Sequence, residues 1–204
     1  MGISSRAETR HAESYTMKIS SIAESLDDAK AIDGVTFKDL KSFPDDRGFF
    51  RELIRVSDPF FSDGFAQWSH SKMGKNTVKA WHFHHRQTDW WYCPFGLLQT
   101  VLIDRREESP TAGRILEFFL GDADEYPQAL STVVRIPPGV FHGCKVLSPA
   151  AHLFYITSNI YDPNDEGREP FDSPEVNYHW GDKIELIVSE RDMKRFIPPH
   201  PRER

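Results

Sequence analysis

Hydrophobic and polar residues alternate with a period of two along most of the chain after residue 35. Because successive side chains of a β-strand point to opposite faces, this alternation predicts β-strands rather than helices. The predicted strands span residues 35–40, 48–56, 66–73, 77–84, 89–95, 97–104, 114–120, 132–136, 142–147, 152–158 and 184–188. Strands of this length and spacing are typical of an all-β sandwich or barrel.

Residues that favour turns separate the predicted strands. Glycine and proline recur at 44–48, 94–96, 109–113 and 137–139, and Gly-Lys-Asn lies within 72–76. Glycine permits positive φ angles and proline fixes φ, so these segments reverse the chain direction without a helix. The high aromatic content, 13% of all residues, fits the same architecture of many short strands.

The two ends of the chain depart from this pattern. Residues 1–16 are polar and without periodicity, and residues 19–31 show a weak helical period. We therefore expect a leader with a short helix at 1–34, a barrel at 35–175 and a C-terminal extension at 176–204.

Composition and charge exclude several classes of protein. The 204 residues are 39% hydrophobic and 27% charged, which is enough apolar material for a core. The net charge of −6 is opposite to the basic bias of nucleic-acid binders. No apolar run approaches the roughly 20 residues that span a bilayer, and the N-terminus lacks a signal-peptide pattern. Two cysteines are too few for a disulfide framework. We expect a cytoplasmic protein that binds neither nucleic acid nor membranes.

A histidine cluster supplies the strongest chemical signal. His82 and His84 lie two residues apart on a predicted strand, so both side chains point to the same face. Asp89 follows on the next predicted strand and His142 on a distant one. Three imidazoles and one carboxylate that converge inside a barrel could bind a divalent ion such as Fe, Mn, Ni, Co or Zn. The alternative is a hydrogen-bonded network of the same side chains without metal.

Two motifs in this region resemble those of the cupin superfamily. The first cupin motif has a counterpart at 82–96. Here His82-x-His84 is followed after four residues by Asp89, in the usual Glu position, and after six more by Gly96. The segment Pro-Pro-Gly-Val-Phe-His at 137–142 resembles the second motif. This resemblance implies a jelly-roll barrel.

A more specific resemblance is to the dTDP-4-dehydrorhamnose 3,5-epimerase family of cupins. Seven sequence patterns of this family have counterparts here in the same order. They are D-x-R-G-x-F-x-E, Q-x-N-x-S, R-G-x-H, D-x-R followed by S-P-T-x-G, I-P-x-G-F-A-H-G, L-Y-K-T and Y-x-P. The corresponding segments are 45–52, 67–71, 79–82, 104–113, 136–143, 154–157 and 161–163.

The resemblance implies a reaction, a partner and roles for several residues. The family epimerises carbons beside the 4-keto group of a dTDP-sugar and is usually a homodimer that exchanges a strand between subunits. His82 stands in the position of the base, Tyr155 in that of the acid, and His142 in that of the second barrel histidine. The residues in positions that bind substrate are Arg47, Glu52, Gln67, Lys79, Trp81 and Tyr161, the first ones partly from the neighbouring subunit.

The chain departs from the family pattern at its catalytic centre. Asp89 occupies the position of a Lys that stabilises the enolate, and an acid cannot stabilise an oxyanion directly. Lys79 replaces an Arg that binds diphosphate, which keeps the charge but loses the bidentate geometry. The Asp that orients the base is replaced by Ser173, so Asp172 is the nearest candidate for that role. His84 replaces the usual Gln.

These departures keep several functions open. The leading hypothesis is a sugar-nucleotide epimerase or isomerase, with a metal ion as a substitute for the missing Lys. The alternative is a metal-dependent cupin of another class, such as an Fe(II) oxygenase or a lyase. A third hypothesis is a sugar-binding cupin without catalysis.

Overall fold

A computed structural model describes residues 16–19, 31–181 and 185–199 of the protein. The predicted leader and the helix predicted at 19–31 lie almost entirely outside the described residues. Within the described part of the chain, no helix is long or apolar enough to cross a membrane.

The structure is built almost entirely from strands. The strands are β1 (Thr16–Ile19), β2 (Thr36–Lys38), β3 (Ser42–Asp45), β4 (Gly48–Arg51), β5 (Gln67–Gly74), β6 (Thr77–His84), β7 (Asp89–Phe95), β8 (Leu97–Asp104), β9 (Ile115–Gly121), β10 (Val133–Ile136), β11 (Val140–Val146), β12 (Ala150–Thr157), β13 (Glu166–Arg168) and β14 (Ile187–Val188). One short 3-10 helix, Pro59–Phe61, lies between β4 and β5.

Two large sheets pack face to face. The seven-stranded sheet has the order β1-β9-β8-β11-β6-β13, with β14 paired to β6, and the five-stranded sheet has the order β2-β10-β7-β12-β5. Strands β3 and β4 form a separate hairpin. This arrangement of short antiparallel strands in two sheets confirms the all-β, cupin jelly-roll prediction.

The main core fills the space between the two large sheets. The inward side chains of both sheets contribute to it, including Trp91 on β7, Leu102 on β8 and Leu153 on β12. The two cysteines, Cys93 and Cys144, are free and belong to this core. Burial raises the pKa of both thiols to about 12, so they are inert packing residues.

The C-terminal segment covers the outer face of the seven-stranded sheet. Val176 and Trp180 pack there against Trp81, Phe83 and other outward side chains of that sheet. Strand β14 then pairs in parallel with β6, which brings the residues after it to the mouth of the barrel. The C-terminal extension predicted at 176–204 therefore packs directly against the barrel strands.

The sequence did not indicate β1, β3 or β13. Strand β1, between the predicted leader and the predicted helix, pairs in parallel with β9 and forms one edge of the seven-stranded sheet. Strand β3 contains Pro44 and pairs with β4 in an exposed hairpin, so its burial pattern does not alternate. Strand β13 has only three residues and includes a glycine, which leaves little pattern to recognise.

Gly96 explains the tight connection between β7 and β8. Its φ of +83° lies in the region that residues with a Cβ rarely adopt. A Cβ at this position would also overlap the backbone oxygen of Ala150 on β12. The hairpin therefore requires glycine at this position.

Candidate active site

A cavity of about 530 Å³ lies between the two large sheets. Cavities of roughly 300–1,000 Å³ are typical of small-molecule sites. Both sheets and the segment 187–192 contribute to its lining. Its polar lining includes Gln67, Ser71, Lys79, His82, His84, Gln87, Asp89, His142, Tyr155, Tyr161, Glu166, Arg168, Ser189, Arg191 and Asp192.

His82 on β6 forms a hydrogen-bonded pair with a carboxylate from the C-terminal segment. Its Nε2 lies 2.7 Å from Oδ1 of Asp192, whose side chain is only 5% exposed. The Ser189 hydroxyl donates to Oδ2 of Asp192 at 2.9 Å, and the Asp192 backbone N–H donates to Ser189 Oγ at 3.2 Å. Because the carboxylate accepts from Nε2, Nδ1 is the basic nitrogen of the His82 ring.

His142 lies on β11 directly opposite His82 in the strand pairing. The His142 ring centroid is 6.3 Å from that of His82 and 5.4 Å from that of His84. Its Nδ1 lies 3.2 Å from the Val140 carbonyl oxygen and donates to it, so its Nε2 is unprotonated. Burial, together with the neighbouring imidazoles, holds the pKa of His142 well below its usual value. His142 is therefore neutral at pH 7.

Asp89 stands on the opposite sheet, at the start of β7, and is 4% exposed. Gln87 Nε2 donates to its Oδ1 at 2.8 Å, and Trp91 Nε1 donates to its Oδ2 at 3.1 Å. His84 Nε2 lies 3.9 Å from the same Oδ1 and 3.2 Å from Gln87 Nε2. One ligand atom each from His84, Asp89 and His142 lie within 4.8 Å of one another.

The fourth predicted metal ligand, His82, lies outside this group of three. Its Nε2 already hydrogen-bonds to Asp192, which draws the ring toward the segment after β14. The structure therefore brings together three of the four residues predicted as metal ligands, and His82 is not among them. His82 is left to act as a base, since one imidazole cannot act both as a metal ligand and as a free base.

Tyr155 on β12 and several predicted substrate-binding residues also line the cavity. Gln67 Oε1 accepts a hydrogen bond from the Tyr161 backbone N–H at 3.1 Å. Lys79 Nζ donates to Ser71 Oγ at 2.8 Å, which fixes a cation on the cavity wall. Because β6 and β12 belong to different sheets, His82 and Tyr155 approach the cavity from opposite sides.

Comparisons with known proteins identify the family of this chain. The profile of the dTDP-4-dehydrorhamnose 3,5-epimerase family matches residues 29–197. The chain belongs to this family. It is 40% identical to the spore coat polysaccharide biosynthesis protein SpsL of Bacillus subtilis over 73% of this chain and 96% of the relative. It is 33% identical to the probable low-salt glycan biosynthesis epimerase Agl13 of Haloferax volcanii over 75% of this chain and 97% of the relative.

Solved structures of the dTDP-4-dehydrorhamnose 3,5-epimerase family resemble this chain as well. One is the dTDP-6-deoxy-D-glucose-3,5-epimerase RmlC of Legionella pneumophila in complex with dTDP-4-keto-L-rhamnose. It is 25% identical, with a TM-score of 0.69 over 79% of this chain and 86% of that chain. Membership in the family favours the epimerase hypothesis over the oxygenase or lyase alternative.

The structure contradicts two of the residue assignments made by resemblance to the epimerase family. Trp81 is fully buried in the core outside the seven-stranded sheet, against Trp180, and does not line the cavity. Trp81 is next to His82 on β6, so strand alternation turns it to the opposite face. A bulge before it, where Cys144 pairs with Lys79 and His142 with His82, gives β6 one extra residue and brings Lys79 to the cavity face. Asp172 lines a different cavity, so Asp192 replaces it as the partner of His82.

Two further predicted residues of the epimerase-type site do not line the cavity of their own chain. Arg47 lies in the β3–β4 hairpin, where it bonds to Asp45 with 89% of its side chain exposed. Glu52 follows the same hairpin and pairs with Arg55. Both remain predicted substrate-binding residues, and the family pattern places part of this set in the neighbouring subunit's site.

The sequence did not indicate six polar residues that line the cavity: Gln87, Glu166, Arg168, Ser189, Arg191 and Asp192. Asp192 and Arg191 come from the C-terminal segment, and Gln87 comes from the loop between β6 and β7. The only local signal for Asp192 is Ser189 three residues earlier, a spacing typical of a turn in which the hydroxyl bonds to the backbone. Arg191 is exposed and adds a cation to the cavity lining, as Lys79 and Arg168 do.

Proposed function

We propose that the protein epimerises a dTDP-4-keto-6-deoxyhexose by removing a proton from a carbon next to the ketone. The observation that carries this proposal is the His82–Asp192 pair, which faces the cavity from one sheet while Tyr155 faces it from the other. Membership in the dTDP-4-dehydrorhamnose 3,5-epimerase family supports the same substrate class.

The pair gives His82 the properties of a general base. Asp192 accepts the Nε2 proton, so Nδ1 presents a lone pair, and the carboxylate stabilises the imidazolium that forms when Nδ1 takes the substrate proton. An imidazole has an ordinary pKa near neutral pH, which suits proton abstraction beside a ketone. The Tyr155 hydroxyl then donates a proton to the opposite face of the enolate, which inverts the carbon.

Basic residues at the cavity suit the diphosphate of a sugar nucleotide. Lys79, Arg168 and Arg191 all line it. Arg168 is held by Glu166 at 2.6 Å and stacks over Phe196, so its position is fixed before a ligand arrives. Charge-assisted hydrogen bonds from such cations are stronger than those between neutral groups.

Solvent hydrogen exchange tests the proposed reaction directly. In deuterium oxide with a dTDP-4-keto-6-deoxyhexose, we expect deuterium to enter the carbons beside the ketone and a second epimer to accumulate, because the base exchanges its proton with solvent. Proton NMR measures both signals. Retention of protium at these carbons, with tight binding of the same sugar nucleotide, would show a binding protein without epimerase chemistry.

We further propose that two copies of this chain form a homodimer through the outer face of the five-stranded sheet. This face carries an apolar groove of about 450 Å³. Trp68, which lines this groove, is 64% exposed. Phe49 and Phe50 belong to the β3–β4 hairpin, which is separate from both large sheets, and are 52% and 69% exposed. Exposed aromatic side chains in contiguous patches are typical of interfaces. The groove is lined by Leu53, Ile54, Trp68, Trp90, Tyr92, Pro94, Val133, Phe154 and Ile156.

Complementation between two inactive variants tests both the dimer and the exchange of its hairpin. Arg47→Ala and His82→Asn should each be nearly inactive alone, because each removes one component of every site. After mixing and re-equilibration, about one quarter of the wild-type sites should be restored, since half of the random dimers contain one intact site. If Arg47 served its own chain, the mixture would recover nothing. A monomer by light scattering would also contradict the proposal.

A further inference from the structure

Three ligand-type side chains converge on the cavity wall beside the proposed base. His84 and His142 come from neighbouring strands of the seven-stranded sheet, and Asp89 comes from the facing sheet. One nitrogen or oxygen atom of each lies within 4.8 Å of the other two. The His84 and Asp89 side chains are 11% and 6% exposed, and His142 is 4% exposed.

The hydrogen bonds around this cluster make its facing atoms acceptors, and the Gln87 amide nitrogen donates to two of them, His84 Nε2 and Asp89 Oδ1. The Val140 carbonyl accepts the Nδ1 proton of His142, so Nε2 of that ring carries a lone pair. His84 Nε2 faces the donor nitrogen of Gln87 at 3.2 Å and is therefore also an acceptor. Trp91 Nε1 holds Oδ2 of Asp89, which orients Oδ1 toward His84 at 3.9 Å.

We infer that His84, Asp89 and His142 form a binding site for one divalent first-row transition-metal ion. Two imidazoles and a carboxylate with open positions are a ligand set for Fe(II), Zn and related ions. Ligand atoms on one zinc ion lie about 3.4 Å apart when the bonds are roughly 2.1 Å and tetrahedral. The most distant pair of ligand atoms therefore needs to approach by up to about 1.4 Å, and the Gln87 amide that bridges His84 and Asp89 needs to turn aside for the ion.

The surrounding contacts have the character of a second coordination shell. Metal-binding histidines usually donate their other ring nitrogen to a carbonyl or carboxylate, as His142 does to Val140. Asp89 is likewise oriented by the Trp91 indole. A bound ion would supply a positive charge where the epimerase family has a Lys and this chain has Asp89. The inference does not depend on the proposed reaction, because binding can be measured without substrate.

Cobalt binding tests the site. Protein purified without a His tag, stripped with chelator and titrated with Co²⁺ should bind one ion per chain, with visible d–d bands and a rise in melting temperature. His84→Gln and Asp89→Asn should each weaken binding by at least about 100-fold, more than the 10–100-fold typical of second-shell changes. Trp91→Phe keeps an aromatic ring and loses only the indole donor, so it should fall within that smaller range.

A second histidine pair provides the matched control. His70 Nε2 and His152 Nδ1 lie 2.9 Å apart on the outer face of the five-stranded sheet. Changing both to Ala should leave the stoichiometry, the spectrum and the affinity unchanged. Binding that survives in His84→Gln and Asp89→Asn but disappears in the His70/His152 double variant would overturn the inference. So would less than about 0.1 equivalent of cobalt on wild-type protein at concentrations that saturate ordinary His sites. Circular dichroism confirms that each variant is folded.

Discussion

Replacing His82 with asparagine should lower the rate of epimerisation by about 10²–10⁴-fold, the usual contribution of a general base. Asparagine keeps a polar side chain of similar reach but cannot accept a proton. Hydrogen exchange at the carbons beside the ketone should fall by the same factor, because exchange and inversion share the abstraction step. The Michaelis constant should change much less, since His82 acts on the reacting carbon and the nucleotide binds elsewhere. Steady-state kinetics and NMR exchange measure these quantities.

A histidine variant away from the site serves as the control for this experiment, and variants of Asp192, the partner of His82, extend it. His179→Asn changes the same residue type in the other cavity, away from the site, and should retain wild-type turnover. Asp192→Asn should lower kcat and leave KM nearly unchanged, and Asp192→Glu should restore part of kcat because a carboxylate again orients the ring. Full activity in His82→Asn would refute the role of His82. Equal losses in Asn and Glu variants of Asp192 would indicate that Asp192 only supports the fold.

The positions of the cavity strands could be predicted because their patterns are local. β6 alternates between cavity-facing and outward side chains, so the common face of His82 and His84 follows from spacing alone. β12 alternates in the same way and presents Tyr155 inward. The second histidine motif, 137–142, places His142 opposite His82 because the two strands pair. For these residues, strand periodicity and family resemblance give the same answer.

Other parts of the site depend on contacts that no local pattern reveals. Asp192 is 110 residues from His82 in the chain, and it reaches the cavity only because β14 pairs with β6. Lys79 is three residues from His82, so strict alternation would point it away from the cavity, but a bulge between the two residues turns it inward. A bulge adds one residue without changing the composition, so period counting places every residue before it on the wrong face.

The separation of His82 from the other imidazoles makes the two proposed functions of the cavity compatible. His82 is held by Asp192 on one side, whereas His84 and His142 face Asp89. Gln87 links His84 to Asp89 and belongs to the second group. A base and a cation-binding cluster can therefore occupy the same cavity without sharing a side chain.

Strand β8 pairs with β11, and a polar network at the end of β8 supports it. The network centres on Asp104, the last residue of β8. The Asp104 side chain is fully buried and accepts hydrogen bonds from Arg106 at 2.8 and 2.9 Å. Ser109 and Thr111 hydroxyls each donate to its Oδ2 at 2.5 Å. Burial raises the pKa of Asp104, but these hydrogen bonds outweigh it and lower the pKa to about 2. The D-x-R and S-P-T segments of the family are thus one structural network in this chain.

Asp104→Ala should reduce the free energy of unfolding by about 2–4 kcal/mol, because it removes the acceptor of the buried Thr111 hydroxyl and of the partly buried Arg106 and Ser109 donors. Urea denaturation at pH 7 measures this loss, and Glu108→Ala, an exposed change in the same loop, is the control with an expected effect within about 0.5 kcal/mol. Equal stability of the Asp104→Ala and Glu108→Ala proteins would contradict the network's importance.

The same network predicts the direction of a pH effect. The pKa of Asp104 falls from 3.8 to about 2 on folding, so its ionised form stabilises the native state above pH 3.8. That contribution, roughly 2 kcal/mol for a shift of this size, is lost as the pH falls toward 2. The stability difference between wild type and Asp104→Asn should therefore narrow by about 1 kcal/mol between pH 7 and pH 3. Asparagine is the variant of choice because it cannot titrate. A difference that is constant or grows over this range would show that the folded protein does not hold Asp104 in its ionised form.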